Sequence, residues 1–329
     1  MSAWSPRTGL SSLDSVLTGL LPGDNIVWRT DSTAPYCDFV ESLCRGAAGV
    51  PIHYFRFADH GPLLVPGPDV QVHDLDPAGG FERFIARIHA VVEQAGCRAY
   101  HVFDCLSGLA ADWYSDTMLG CFFRLTCPFV LQTGSVAYFC VLRRTHSARS
   151  LDPIQATAQI VIDVYQHGGE LYIHPLKVDQ RHAPTLHLLH RQRGAAFLPV
   201  TASATVARVL SQAADEVLER GDARAGVWQR TFSEAEELFA ACRRGQVADS
   251  EAGPAFDHLL RMTVAREGPM LELARRFLTW EDVLGVGRRL IGTGLIGGKS
   301  VGMLLARAIL RRASPRWQQL LEPHDSFYV

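Results

Sequence analysis

"TGLSSLDSVLTGLLPGDNIVW" runs from Thr8 to Trp28. Its last third decides the fold. "LPGD" (Leu21–Asp24) carries the Pro-Gly pair of a tight turn, and "NIVW" (Asn25–Trp28) after it is a short apolar run suited to a buried strand. Working outward, Cys37–Ala48 reads as a helix. "PIHYFRF" (Pro51–Phe57) is rich in β-branched and aromatic residues and reads as a second strand. "FERFIARIHAVVEQAG" places Phe81, Ile85, Ile88 and Val92 at helical spacing and ends on Gly96. "AYHVF" (Ala99–Phe103) is a strand that stops at Asp104. A helix near Thr117–Leu125 and the strand "VAYFCVL" (Val136–Leu142) follow. This β-α-β rhythm predicts an α/β domain, a mostly parallel sheet with helices on both faces. Two hairpins then read as an antiparallel edge: "QIVIDVY" with "LYIHPLKV", and "TLHLLH" with "AAFLPV" across "RQRG".

From Thr201 the strand signals stop. Val206, Val209, Leu210, Ala213 and Val217 form one helical stripe. Ser233 and Glu236 match a capping box, "RGQVADSEAGPA" reads as a loop, and Leu259–Leu278 is helical with a break at Gly268–Pro269. Thr279 and Asp282 suggest another cap. The expected organisation is an α/β domain over 1–200, a helical connector over 201–282, and the start of a further domain over 283–329. "SFYV" at the end reads as the opening of a strand, so the expectation is that the chain is the front part of a longer protein.

The 329 residues carry a net charge of −2, which gives the whole molecule no electrostatic reason to seek nucleic acid or an acidic membrane. Met118–Leu142 is almost uncharged. Pro128 and "QTGS" divide it into pieces shorter than the roughly 20 apolar residues of a spanning helix. Eight cysteines without a C-x-x-C pair or zinc spacing fit a reducing cytoplasm.

The opening stretch resembles the entry to RecA-like ATPases of the circadian-clock (KaiC) family, through Thr8, Gly9, Leu13, Asp14, Leu17, Gly19, Pro22 and Gly23. "HVFDCLSGL" (His101–Leu109) matches that family's acidic, metal-side motif. After its first strand the family places a phosphate-binding loop. This chain has "RTDSTAPYCDF" (Arg29–Phe39), without glycine or lysine, so backbone amides cannot wrap a triphosphate there. "ADH" (Ala58–His60) stands where the family has paired glutamates. The resemblance therefore implies a pseudo-ATPase, with Asp104 left as a lone metal candidate. Asp104, Asp112, Asp116 and His146 could still form a polar site at the strand ends. The plainer reading has Asp104 capping a turn and the others facing solvent. The basic stretches Arg143–Arg149 and Arg181–Arg193 read as solvated loops.

"GTGLIGGKSVG" (Gly292–Gly302) misses the P-loop spacing by one residue, because Thr293 stands where the first glycine belongs. "RRLIGTGLIGGKSVGMLLARAIL" (Arg288–Leu310) instead resembles the start of the ATP-grasp-like nucleotide-binding domain of phosphoenolpyruvate (PEP) synthase and pyruvate phosphate dikinase. That resemblance makes Gly297, Gly298, Lys299 and Ser300 candidate ligands of the ATP phosphates. Two glycines, a lysine and a helix N-terminus suit an anion. A glycine-rich turn that packs a helix is the structural alternative.

The whole arrangement resembles bacterial PEP/pyruvate-binding-domain proteins, which join a KaiC-like front domain to a PEP-synthase-type nucleotide domain. It implies a parent protein that uses ATP and Mg²⁺ to phosphorylate a mobile histidine. This chain would serve in regulation, docking or homo-oligomerisation and would not catalyse the reaction alone. Two alternatives are a non-catalytic scaffold or ligand sensor, and an ATPase built unconventionally around Asp104.

Overall fold

The computed structural model describes residues 4–47, 49–58, 60–113, 115–143, 145–146, 148–219, 227–292, 294–322 and 327–328. The chain divides into two compact units, Met1–Gly226 and Val227–Val329.

The first unit is α/β. Its strands are β1 (Asn25–Thr30), β2 (Ile52–Arg56), β3 (Val70–Asp74), β4 (Tyr100–Cys105), β5 (Val136–Leu142), β6 (Ile160–His167), β7 (Glu170–Val178), β8 (His190–Arg193) and β9 (Ala196–Pro199). They form one sheet in the order β3-β2-β4-β5-β1-β6-β7-β8-β9. Neighbours from β3 to β6 are parallel, and the pairs from β6 to β9 are antiparallel. The helices are α1 (Ser11–Val16), α2 (Ala34–Gly46), α3 (Phe81–Ala95), α4 (Ser107–Asp112), α5 (Asp116–Thr133), α6 (Ala148–Thr157) and α7 (Ser203–Glu219).

Alternating side chains on the central strands supply two cores. Ile26, Trp28, Tyr54, Val102 and Tyr138 bury against Leu13 and Leu17 near α1 and against Tyr36, Phe39 and Leu43 of α2. Val27, Phe55, Phe103, Phe139 and Val161 face the other way, onto Ile88 and Val92 of α3 and Phe122 and Phe123 of α5. Trp28 stacks on Phe39 at 4.0 Å between ring centroids. Val209 of α7 is buried with Tyr165, Tyr172 and Leu189, so α7 packs on the antiparallel side of the sheet.

Several details depart from the sequence reading. β3 carries too weak a pattern to be noticed, because it is an edge strand with only partial burial. The last hairpin turns at Gly194–Ala195, and its first strand is "HRQR", not "TLHLLH". α5 runs straight through Pro128 to Thr133 and ends on Gly134 in a left-handed C-cap. Burial of Phe122, Phe123, Cys127 and Val130 holds both sides of the proline in place. Among the described residues no helix is long and apolar enough to cross a membrane.

The second unit contains α8 (Val227–Arg243), α9 (Asp249–Thr263), α10 (Pro269–Phe277), α11 (Trp280–Gly287), α12 (Gly298–Ala313) and α13 (Arg316–Leu320). α9 packs on α8, α10 and α11, and α12 packs on α10. The Thr279–Asp282 capping box opens α11, and the break at Gly268–Pro269 separates α9 from α10, both as expected. Ser233 and Glu236 instead lie inside α8, which starts at Val227. α9 begins at Asp249, inside the stretch read as a loop. Tyr328 makes a single parallel bridge with Leu290; Ser326 and Val329 lie outside the described residues.

Candidate functional site

The sequence provides few clues to the first unit's site, so its geometry has to be built from the strand ends. The carboxyl ends of parallel strands are where α/β folds bind ligands. A cavity of about 600 Å³ opens there, lined among others by Thr33 after β1, His60 after β2, Asp76 after β3, and Cys105 and Asp112 from β4 and α4.

Asp104 is fully buried at the end of β4. Its Oδ1 accepts the Tyr54 hydroxyl at 2.5 Å, and its Oδ2 accepts the amides of Phe57 and Ala58 at 2.8 and 2.9 Å. The carboxylate therefore clamps the loop that leaves β2. His60 Nε2 lies 3.7 Å from Oδ1 and accepts the Cys105 amide, while Nδ1 meets the Gly61 carbonyl at 2.8 Å. Burial and the bond to Asp104 push the Tyr54 phenol well up, so it remains a donor.

The connection from β1 to α2 is filled by the protein's own groups. Asp31 pairs with Arg143. Arg143 also lies over the Tyr165 ring at 4.1 Å, and Tyr165 donates to Asp163. Arg29 is 3.0 Å from Asp163. At the start of α2, Pro35 removes one of the amides that a phosphate would use. Tyr36 points into the sheet instead. Between Val102 and Cys105, β4 has one more residue than β5, a bulge. The Tyr36 hydroxyl reaches it, 2.9 Å from the Phe103 carbonyl and 3.0 Å from that of Tyr138. Burial keeps this phenol protonated far above its ordinary range.

Of the four predicted strand-end residues, the side chains of Asp104, Asp112 and His146 are described. Asp104 is buried in its clamp, and Asp112 is exposed on the cavity wall. His146 is buried against Ser107, Nε2 to Oγ 2.7 Å. Asp116 begins α5, and its side chain lies outside the described residues, as do Asp59 and Arg144. Among the described residues no group of three or more His, Cys, Asp or Glu could hold a metal. Sequence reasoning missed Tyr36, Tyr54 and Ser107; a tyrosine in an amphipathic helix gives no sign that its hydroxyl ends inside a sheet.

In the second unit, Gly297 caps α12, and Gly298, Lys299 and Ser300 form its first turn. Gly297, Gly298 and Lys299 are exposed. Gly292 and Gly294 have φ of 107° and 111°, which side chains rarely adopt, and Thr293 between them lies outside the described residues. The Ile296 amide donates to the buried Thr263 carbonyl at 2.9 Å and anchors the loop to α9. A separate cavity of about 340 Å³ is lined by Asp282, Arg289, Arg307, Arg311 and Tyr328 among others, and none of Gly297–Ser300 reaches it.

No family model matches the chain, and no curated protein matches it either.

Proposed function

We propose that this chain is the regulatory or docking portion of an ATP-dependent phosphotransferase of the PEP synthase type, and that its first unit is a RecA-like pseudo-ATPase. The reading rests on the resemblances at Thr8–Trp28 and Arg288–Leu310. The sheet order supports it, since β1 lies between β5 and β6 and the β1–α2 turn reaches the strand-end cavity.

One observation carries the loss of catalysis. The place after β1 where a phosphate loop would sit holds the Asp31–Arg143 pair, Pro35 and the inward Tyr36. That carboxylate engages the Arg143 guanidinium, and the stretch supplies no lysine for a triphosphate. Asp104 spends its carboxylate on three protein donors, which speaks against an ATPase built around it. In the second unit the exposed first turn of α12 supplies amides, a helix dipole and Lys299, a set that fits phosphate. ATP with Mg²⁺ would supply the phosphoryl group in the complete protein, and metal ligands would come from residues beyond this set. The strand-end cavity favours a second reading, a ligand-sensing domain without any catalytic partner.

Calorimetric titration with Mg²⁺–ATP of the wild type, Lys299→Ala and Asp104→Ala tests the proposal. Binding that disappears only in Lys299→Ala supports it. Mg²⁺-dependent hydrolysis that disappears in Asp104→Ala overturns it.

A further inference from the structure

Cys105 and Cys140 are direct partners in the parallel pairing of β4 and β5, immediately after the bulge. Both belong to the core on the α1–α2 face, so their side chains leave the sheet on the same side. Adjacent strands lie about 4.8 Å apart, within the about 4.4–6.8 Å between Cα atoms that a disulfide spans. Each thiol shifts the acidity of the other, as neighbouring sulfurs do.

Their surroundings differ. Cys105, itself buried with 4% exposure, lines the strand-end cavity, and Cys140 is fully buried, 3.6 Å from the Thr30 hydroxyl. Near the Cys105 sulfur stand the Cys140 thiol and the amide and hydroxyl of Ser107. These donors favour the thiolate and pull this thiol below its ordinary range. Burial pushes Cys140 the opposite way. Ser107 Oγ in turn touches His146 Nε2 at 2.7 Å and accepts the Leu142 amide at 2.8 Å. A proton leaving Cys105 thus has a path through Ser107 to an imidazole.

We propose that Cys105 and Cys140 form a redox-active dithiol that reduces hydroperoxides entering the strand-end cavity, with Cys105 as the attacking sulfur and Cys140 as the resolving one. Cys105 passes its proton through Ser107 to His146. Its sulfur attacks the terminal peroxide oxygen; the S–O bond forms, the O–O bond breaks, and the alkoxide takes back the proton as an alcohol, or as water from hydrogen peroxide. The Cys140 sulfur then attacks the sulfenic sulfur of Cys105. The S–S bond forms, the S–O bond breaks, and hydroxide leaves with the Cys140 proton as water. Two thiols are oxidised by two electrons in all, and one peroxide is reduced. This site is independent of the nucleotide chemistry proposed above.

The test treats the folded wild-type chain with stoichiometric hydrogen peroxide, blocks free thiols after unfolding, and maps peptides by mass spectrometry. The expected result is loss of two of the eight thiols as a single Cys105–Cys140 crosslink that a reductant reverses. In Cys140→Ser, dimedone should label Cys105 at least about tenfold more than buried Cys127. The wild-type map needs no variant, so a misfolded Cys140→Ser chain cannot obscure the answer. Cys105 and Cys140 both remaining free while exposed Cys97 is oxidised overturns the proposal. So does a crosslink to any other cysteine.

Discussion

The hydroxyl of Tyr36 lies 2.9 Å from the carbonyl oxygen of Phe103, so a helix side chain completes a sheet ladder. The extra residue in β4 interrupts the ladder at the bulge, and a buried carbonyl without a donor is costly. Tyr36→Phe keeps the ring and removes the donor. It should lower unfolding stability by about 1–3 kcal/mol, read from urea denaturation, with the urea dependence unchanged. It should not create nucleotide binding. A stability change within error would mean that water replaces the hydroxyl and that the bulge needs no clamp.

Arg181 ties the turn before β1 to the loop after β7. Its guanidinium meets both carboxylate oxygens of Asp24 at 2.7 and 2.9 Å, and also the Gly19 carbonyl. Both side chains are nearly inaccessible. Removing one partner strands a buried charge, so Asp24→Ala should cost about 3–5 kcal/mol. Adding Arg181→Met to it should recover part of that loss. A double variant less stable than the sum of the two single ones would contradict a pairing role.

The parallel sheet and its two helical faces were legible because β1, β4 and β5 are apolar runs and α3 repeats its apolar residues at helical spacing. β3 was not, since an edge strand buries too little to impose a pattern. The start of α9 was hidden by Gly253 and Pro254, which local propensity reads as a loop and which the helix nevertheless carries. The lack of glycine and lysine between Arg29 and Phe39 was legible. What fills that turn was not, because Asp31 meets Arg143 and Tyr36 meets Phe103 only after residues far apart in sequence are brought together. The Cys105–Cys140 pairing depends on strand order in the same way.

Three histidines on three adjacent strands predict acid sensitivity. His53 Nδ1 lies 3.1 Å from His73 Nε2, and His101 pairs with His53 across β2 and β4. His101 is fully buried, and both its ring nitrogens are without hydrogen-bond partners. Burial lowers its pKa from 6.5 to about 3, and that of His53 to about 4, with neighbouring histidines adding to both shifts. The folded state therefore holds the neutral rings, while the unfolded chain takes up protons below its pKa of about 6.5. Stability should be fully present above that pH and fall as pH drops from there toward 4. His101→Phe removes one such proton. Between pH 6.5 and 5 it should lose about 2 kcal/mol less than the wild type. Equal losses in denaturation at the two pH values would show that His101 is not linked to folding.

The tightest constraint sits in the stretch that announces the fold. Gly9 has φ of +83°, and a Cβ placed there would lie 1.7 Å from the Ser42 carbonyl oxygen of α2. Gly46, one turn further along α2, faces the Gly9 Cα in the same way, at 2.4 Å from its own would-be Cβ. The chain before α1 thus rests directly on the backbone of α2, and neither residue can carry a side chain without moving that contact. Gly9→Ala adds about 1–2 kcal/mol of backbone strain and about 1–3 kcal/mol for the displaced helix. The expected total is about 2–5 kcal/mol, measured by thermal and urea unfolding. Because α2 carries Tyr36, the displacement should also loosen the clamp on Phe103, so Tyr36→Phe should cost less in the Gly9→Ala background than alone. Full additivity of the two substitutions would show that the Gly9 contact and the Tyr36 clamp act independently.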